Sequence, residues 1–284
     1  MNPVVWQNIV FIAVGVQIFF TVLAVIGIWE KDRTEYFGLG EKNDMKFSLK
    51  EFGKLLVGNK GLRYLMISAN TEKVGWMIYN STVTYFYANI LVNSSMQGTL
   101  ATAAILPTIL ATTIGPMIAR KRGMKKIYVI TNVCSLVSIL GIIALHPDAQ
   151  YGIPLLLLIM LERAFSTVSV YLSNPMIADC ADYELNRTGR YIPGMVGSLF
   201  SFADKFVSSL STFILGVALA LAKVITPDVP AEGALRITLM VCMFGIPAIC
   251  HVISLIAMKF YPLDGNTMLR IQQENAVKKQ EKNA

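Results

Sequence analysis

The chain has 284 residues, of which 54% are hydrophobic and only 15% are charged, with a mean hydropathy of +0.55. Soluble domains carry about a quarter charged residues, so this chain has too few to cover a globular surface. A membrane-spanning helix needs about 20 mostly apolar residues, and seven stretches meet that requirement. The composition therefore excludes a soluble protein and predicts an all-α membrane protein. The predicted spans are residues 4–29, 62–93, 96–119, 127–146, 151–178, 194–222 and 234–261.

The first span has no basic residue before its apolar run, and the run is too long for a cleaved signal peptide. Residues 1–29 are therefore predicted to be a transmembrane helix. The next segment, residues 30–61, is of mixed charge and is predicted to be cytoplasmic. Within it, Ser48 and Glu51 have the spacing of a capping box, and apolar residues then recur at helical spacing. This predicts a short amphipathic helix that either lies on the membrane surface or is an ordinary linker.

The remaining six spans, residues 62–261, are predicted to form one bundle with short loops. The sequence ARKRGMKK joins the third and fourth spans, and Gly123 permits a tight turn there. Residues 179–193 are predicted to be a cytoplasmic loop between the fifth and sixth spans. The tail, residues 262–284, is polar and is predicted to be frayed beyond its first turn.

The +7 net charge is concentrated on one side of the predicted membrane protein. When loops are assigned alternately to the two sides, one side carries 20 of the 25 Lys and Arg residues and the other carries only Lys223 and Arg236. Basic loops face the cytoplasm, so the carboxyl terminus is predicted to be cytoplasmic. The same distribution indicates lipid headgroups as the partner of the basic residues, and no nucleic acid is expected.

The four cysteines and two histidines are too scattered to form a recognisable site. No C-x-x-C pair is present, and His146 and His251 are far apart in the sequence. The cysteines are therefore interpreted as small packing residues. No metal site, disulfide framework or organic cofactor is expected.

Three adjacent acid–base pairs are the only charges well inside the spans. Each pair lies about ten residues from the nearer end, roughly 15 Å at about 1.5 Å per residue, near the middle of the bilayer. Charges at this depth face the bundle interior or a water-filled cavity. Neighbouring helical residues point about 100° apart, so at least one member of a pair is expected to seek a partner on another span or a ligand. The pairs are Glu72–Lys73, Glu162–Arg163 and Asp204–Lys205.

The pairs have two possible roles: structural ion pairs that connect helices, or groups that act in transport. For Lys205, supported by Asp204, a transport role is favoured because serines line the same helix. Aromatic rings beside hydrogen-bonding groups suit sugars, which favours Trp76 and Asn80 as substrate contacts. Tyr171 on the fifth span is assigned to the same site.

A family resemblance accounts for these features. The stretch MIADCADYELNRTGRYIPGMVGSLFSFADKF resembles the glycoside–pentoside–hexuronide:cation symporters, the melibiose-carrier branch of the major facilitator superfamily. The resemblance rests on an A-D-x-x-D-Y run, a following T-G and a helix with S-x-x-x-x-x-x-K. FYPLDGNTMLRIQQEN, FSLKEFGKLLVGNKGLRYL and ARKRGMKK resemble further parts of that family, so the match runs from about Trp6 to Asn275. The positions that carry the main motif are Ala178, Asp179, Asp182, Tyr183, Thr188, Gly189, Ser198 and Lys205.

The resemblance implies the architecture and the activity. The chain would correspond to helix six, the central loop and the carboxyl-terminal six-helix bundle of a twelve-helix carrier, with the amino-terminal helices missing or replaced by a second copy. The activity would be symport of a sugar or glycoside with Na⁺ or H⁺ across the plasma (inner) membrane. The coupling ion would bind mainly to the absent amino-terminal half. Asp179, Asp182, Arg187 and Arg190 would form and break ion pairs of a cytoplasmic gate as two bundles rock about a central site.

Two other functions remain open at this point. The chain could be a fragment or sensor that does not transport. Alternatively, the spacing of Asp179 and Asp182 is similar to the aspartate-rich motif with which intramembrane prenyltransferases bind Mg²⁺ and pyrophosphate. Such an enzyme needs a second, facing acidic cluster, and the inner loops and tail contain none, so the chain is not expected to be an enzyme.

Overall fold

The computed structural model describes residues 3–30, 49–145, 152–221 and 230–283. Within these ranges the regular secondary structure is helical, which confirms the all-α class. The chain divides into two units, Met1–Lys46 and Phe47–Ala284, which are described separately.

The first unit contains the apolar helix α1, Pro3–Ile28. In the second unit, helices α3 and α9 each pass into a short π-helical segment, Phe86–Ile90 and Val241–Gly245 respectively. The α-helices of the second unit are α2 Leu49–Gly58, α3 Lys60–Tyr85, α4 Ser94–Ala103, α5 Ile105–Arg122, α6 Met124–Ala144, α7 Gly152–Thr188, α8 Pro193–Leu221, α9 Gly233–Met240, α10 Ile246–Phe260 and α11 Gly265–Asn283.

Length and apolar character qualify five helical stretches of the described residues as membrane spans, or six if the bent pair α4 and α5 is one span. The protein is therefore a multi-pass membrane protein. The predicted second span, α3, is 26 residues long but does not qualify because it carries several polar and charged residues. It packs against α7, α8 and α10, and the protein therefore covers most of the polar groups that lipid would not solvate.

The second unit has two large apolar cores with a polar layer between them, and a third, small apolar cluster. Leu62, Tyr128 and Met176 belong to one core, and Phe86 and Phe244 belong to the other. In the sequence, the buried residues Glu72 on α3, Asn132 on α6, Glu162 on α7 and His251 on α10 each lie between members of the two cores, so the layers follow the helix axes. Polar side chains inside a membrane protein stabilise the packing when they bond to one another, as many of these do. The layer contains Ser68, Glu72, Thr131, Asn132, Glu162, Ser169, His251 and Ser254.

Helix α7 is longer than the predicted fifth span. It has 37 residues, about 55 Å at roughly 1.5 Å per residue, and it continues to Thr188. The prediction that residues 179–188 form a loop is therefore wrong. The helix persists because Cys180, Ala181 and Glu184 lie on one buried face that packs against the bundle.

The tail was expected to fray, and this expectation is also wrong because residues 265–283 form α11. Asp264 begins the helix by accepting a 2.8 Å hydrogen bond from the Thr267 amide, and this bond lowers the pKa of the Asp264 carboxyl. Met268 and Ile271 are buried in the first apolar core, which fixes the helix to the bundle. The sequence does contain apolar residues three positions apart in this segment, but its mainly polar composition favours the prediction of a frayed tail.

The turn at Gly123 is as predicted, since its φ of 94° is a conformation that favours glycine. A second reason for glycine is visible here: a Cβ on Gly123 would lie 3.3 Å from the Cα of Gly265. The basic loop and the start of α11 are therefore in backbone contact. The predicted cap Ser48 lies outside the described residues, whereas the short helix that follows it is present as α2.

Candidate substrate cavity and charged cluster

A cavity of about 260 Å³ opens among α3, α6, α7 and α8. Its lining includes five of the residues selected from the sequence: Glu72, Lys73, Tyr171, Asp204 and Lys205. The volume is near the lower end of small-molecule sites, about 300 Å³. A cavity with this many charges at the centre of an apolar bundle is suited to a polar solute.

Asp204 pairs with a residue of another helix. Its Oδ1 lies 3.4 Å from Nζ of Lys73, so the ion pair joins α3 to α8. The Lys73 ammonium also lies 5.5 Å from the ring centroid of Trp76, within the range of a cation–π contact. Lys73 is thus held by a carboxylate and an aromatic face at the cavity wall.

Lys205 differs from Lys73 because its side chain is exposed at the cavity. The ion pairs among the described residues do not include its ammonium. The serines that follow it on α8 use their hydroxyls within the helix: Ser208 bonds to the Asp204 carbonyl and Ser209 to the Lys205 carbonyl. The Lys205 ammonium is therefore a charged hydrogen-bond donor that faces the cavity.

Two further cavities continue along α3. A small one of about 10 Å³, enough for roughly one water molecule, is lined by Glu72, Trp76, Asn80, Glu162 and Arg163, among others. A larger one of about 230 Å³ lies beyond it and shares Asn80 and Arg163 with it. Because Glu72 lines both the small cavity and the 260 Å³ cavity, the three are neighbours along one helix.

At the small cavity, Glu72 contacts a histidine. Nδ1 of His251 lies 3.0 Å from both carboxylate oxygens of Glu72 and 2.9 Å from Oδ1 of Asn132. All three side chains are buried. Glu162 lies on the same cavity, and its Oε2 is buried with no hydrogen-bond partner among the described residues.

Sequence reasoning found Glu72 and Glu162 but missed His251 and Asn132. His251 is isolated in the sequence because its partners, Asn132 and Glu72, are 119 and 179 residues away in the chain. One feature of the sequence could have identified His251: it lies within an apolar span, where an ionisable side chain needs a partner. Asn132 gave the same, weaker signal.

At the end of the bundle that is predicted to be cytoplasmic, the predicted gate residues have different partners from one another. Arg187 forms a 2.8 Å ion pair with Glu184 one turn earlier on α7. Arg190 lies 3.8 Å from Glu51 of α2, whose pKa is lowered mainly by its hydrogen bond to Lys54. Among the described residues, the side chains of Asp179 and Asp182 form no ion pair.

The centre of this end is Asn59, which sequence reasoning missed. Its side-chain oxygen caps α3 by accepting from the Leu62 amide at 2.8 Å. Its amide nitrogen donates to the Cys180 carbonyl and to Oε2 of Glu184, both at 3.0 Å. A single buried side chain thus joins the start of α3 to α7, while Arg187 covers the other side of Glu184.

The described residues contain no group of three or more His, Cys, Asp or Glu side chains arranged to hold a metal ion. The polar cavities are instead lined by ion pairs, single carboxylates and aromatic rings. A polar cavity among apolar helices is an arrangement found at the substrate sites of membrane transporters.

The comparison with known families identifies the kind of transporter. A family described as MFS/sugar transport protein matches residues 2–265, so the chain belongs to that family and is a sugar transporter. A search of curated proteins found no match.

Proposed function

We propose that the chain provides the carboxyl-terminal bundle of a glycoside symporter of the melibiose-carrier branch, driven by Na⁺ or H⁺. The observation that supports this most is the 260 Å³ cavity with Lys73, Asp204 and Lys205 on its wall. Sugars carry many hydroxyls, so charged donors and acceptors beside an aromatic ring suit them. Tyr171 provides a ring on this cavity, and Trp76, which lines the neighbouring small cavity and contacts Lys73, provides another.

In this proposal the two lysines have different tasks. Lys73 is fixed by Asp204 and Trp76, and it orients the Asp204 carboxylate as an acceptor for sugar hydroxyls. Lys205 is exposed and donates either to a hydroxyl or to a carboxylate on the facing bundle. A lysine that changes partner between a ligand and a moving bundle connects binding to alternating access.

The open side of the cavity implies a second wall. Tyr171, on the cavity, is 55% exposed, and Lys205 beside it is exposed as well. We propose that a second helical bundle, from the same polypeptide or from a second copy, covers this side. The gate residues Arg187 and Arg190 then exchange their present partners Glu184 and Glu51 for groups on that bundle as it moves.

Fluorescence of Trp76 tests sugar binding directly. The chain has three tryptophans, so Trp6→Phe and Trp29→Phe leave Trp76 as the only reporter. Addition of hexosides, pentosides or hexuronides to the purified protein is expected to change the Trp76 emission in a saturable way for at least one class. Lys73→Ala is expected to weaken that binding because the Asp204 carboxylate loses its partner.

The matched control keeps Trp29 and replaces Trp6 and Trp76 by phenylalanine. Trp29 is 74% exposed and is not part of the cavity lining, so its emission is expected to stay constant. A full panel of glycosides that leaves Trp76 unchanged, in protein that is otherwise folded, would contradict the proposed sugar site.

We also propose that the protein lies in the plasma (inner) membrane with α11 and the basic loop in the cytoplasm, as the charge distribution indicates. In a variant lacking the native cysteines, a cysteine at Val277 is expected to be protected from an impermeant thiol reagent in intact cells. A cysteine at Glu232, which precedes α9 at the opposite end, is expected to react. The reverse labelling pattern would invert the topology and remove the basis of the cytoplasmic gate.

A further inference from the structure

We propose that Glu72, His251 and Glu162 form a proton-binding site inside this bundle, which holds one proton and releases it to the small cavity. The site is distinct from the Lys73–Asp204 ion pair of the 260 Å³ cavity, although Glu72 also lines that cavity. Its link to sugar transport rests on the function proposed above, whereas the proton site itself does not.

The charges around the small cavity do not balance without a proton. Its lining contains two carboxylates, Glu72 and Glu162, and one permanent cation, Arg163. Both carboxylates are buried, and a net charge in such a place is costly. Lys73, the next cation on α3, is already paired with Asp204. One added proton makes the group electrically neutral.

The hydrogen bonds of Asn132 show how the imidazole is arranged. Its amide nitrogen donates to the Tyr128 carbonyl at 3.2 Å, so its Oδ1 is the atom that faces Nδ1 of His251. The Glu72 carboxylate faces the same Nδ1. Because Nδ1 then meets only acceptors, it carries a hydrogen, and Nε2 is the ring nitrogen that gains or loses a proton.

Glu162 provides the second position for the proton. Its Oε2 is buried without a hydrogen-bond partner among the described residues, although it lies at a cavity large enough for about one water molecule. The hydroxyl of Tyr79 lies on the same cavity, faces the Glu162 carboxyl and has no other partner among the described residues. A proton taken from water forms an N–H bond at His251 or an O–H bond at Glu162, and it returns to water when that bond breaks.

The remaining neighbours allow this role. The titratable and charged groups that face the cluster are Tyr79 and Lys73 on α3, Tyr128 on α6, Arg163 on α7 and Cys250 on α10. Of these, Lys73 and Arg163 are cationic, and the tyrosines and the thiol are neutral in a buried site. A hard cation would instead require several convergent oxygens, and a histidine nitrogen at the centre favours a proton.

The site reaches the substrate cavity through adjacent residues of α3. Glu72 contacts His251, and Lys73, the next residue, contacts Asp204. Loss of the proton adds one negative charge beside Lys73, so the cluster then competes with Asp204 for its ammonium. Sugar affinity is therefore expected to depend on the protonation of the cluster, typically by about tenfold between the two states.

Infrared difference spectroscopy of the purified chain in lipid vesicles, between mildly acidic and alkaline pH, tests the site without sugar. The wild-type spectrum is expected to contain a carboxylic-acid band or an imidazole band that Glu162→Gln and His251→Gln alter. Glu274→Gln, on the exposed side of α11, is the matched control and is expected to leave the spectrum unchanged. A spectrum that stays the same in Glu72→Gln, Glu162→Gln and His251→Gln would overturn the proposal.

A second measurement does not require the buried carboxylates to be changed. In His146→Asn protein, nitrogen-15 labelling of histidine leaves His251 as the single signal. Nδ1 is expected to remain protonated while the Nε2 signal responds to pH. An unprotonated Nδ1, or a ring that does not respond at any pH, would refute the arrangement.

The Trp76 binding assay at the same two pH values separates this inference from the proposed function. Wild-type protein is expected to show a change in sugar affinity of about tenfold, and Glu72→Gln is expected to remove it. Proton signals without any sugar binding would support the site and contradict the sugar function. Sugar binding without proton signals would support the function and contradict the site.

Discussion

Replacing Lys205 by arginine is expected to lower cation-driven sugar uptake by about 100-fold, equivalent to about 2.7 kcal/mol of transition-state free energy. Lys205 is exposed at the 260 Å³ cavity and is outside the ion pairs of the described residues. A compact ammonium can change between a hydroxyl and a carboxylate, whereas the wide, planar guanidinium favours one bidentate partner. Uptake of labelled glycoside into vesicles that carry the transporter measures the effect.

Lys259→Arg is the matched control for this experiment. Lys259 is an exposed lysine in the last turn of α10 and does not line the cavity, so the same chemical change there is expected to leave uptake unchanged. Membrane levels of both variants should equal those of the wild type. Normal uptake by Lys205→Arg, or a loss that merely follows the amount of protein, would make Lys205 a structural residue.

Replacing Asn59 by leucine is expected to destabilise the folded protein by about 3 kcal/mol. The change removes the cap of α3 and two hydrogen bonds to α7. It also leaves buried Glu184 with one donor fewer, while leucine keeps the branched shape of asparagine. Thermal unfolding followed with a thiol-reactive dye is a suitable measurement, since Cys180, the neighbour of Asn59, is fully buried until the fold opens.

Asn93→Ala separates capping from the contacts between helices. Asn93 caps α4 by the same chemistry, accepting from the Met96 amide at 3.2 Å, but it lies at an exposed turn. Its loss is expected to cost about 1 kcal/mol, the usual value for a helix cap. Equal effects of the two variants would show that the bonds of Asn59 to α7 contribute nothing beyond capping.

The class of the fold could be predicted because bilayer thickness fixes the length of a span. The long apolar runs of the sequence are sufficient to predict the membrane spans that contain α6, α8 and α10. Helix ends were predicted less well: the last turns of α7 and all of α11 depend on packing between residues that are far apart in the sequence. Cys180 and Ile271 are buried in the same core. The polar composition of the tail does not show that its few apolar side chains pack against the bundle.

The candidate site was predictable where a residue is unusual for its surroundings. Glu72, Lys73 and Asp204 stand out as charges in apolar runs. Their common depth predicts that a member of a pair meets a partner on another span or a ligand, and the identity of the partner, Lys73 for Asp204, comes from the structure. The contacts of His251 and Asn59 could not be derived in this way. Each requires knowledge of which helices are neighbours, and only the folded chain gives that information.

A spectroscopic label placed on α11, for example at the exposed Leu269, will report motions of the transmembrane bundle. The contact of Gly265 with Gly123 ties α11 to the turn between α5 and α6. Asn275 also bonds to the Asp182 carbonyl, which ties the same helix to α7. Distance measurements between two such labels can therefore follow the tilt of buried helices from an aqueous surface, without a probe inside the membrane.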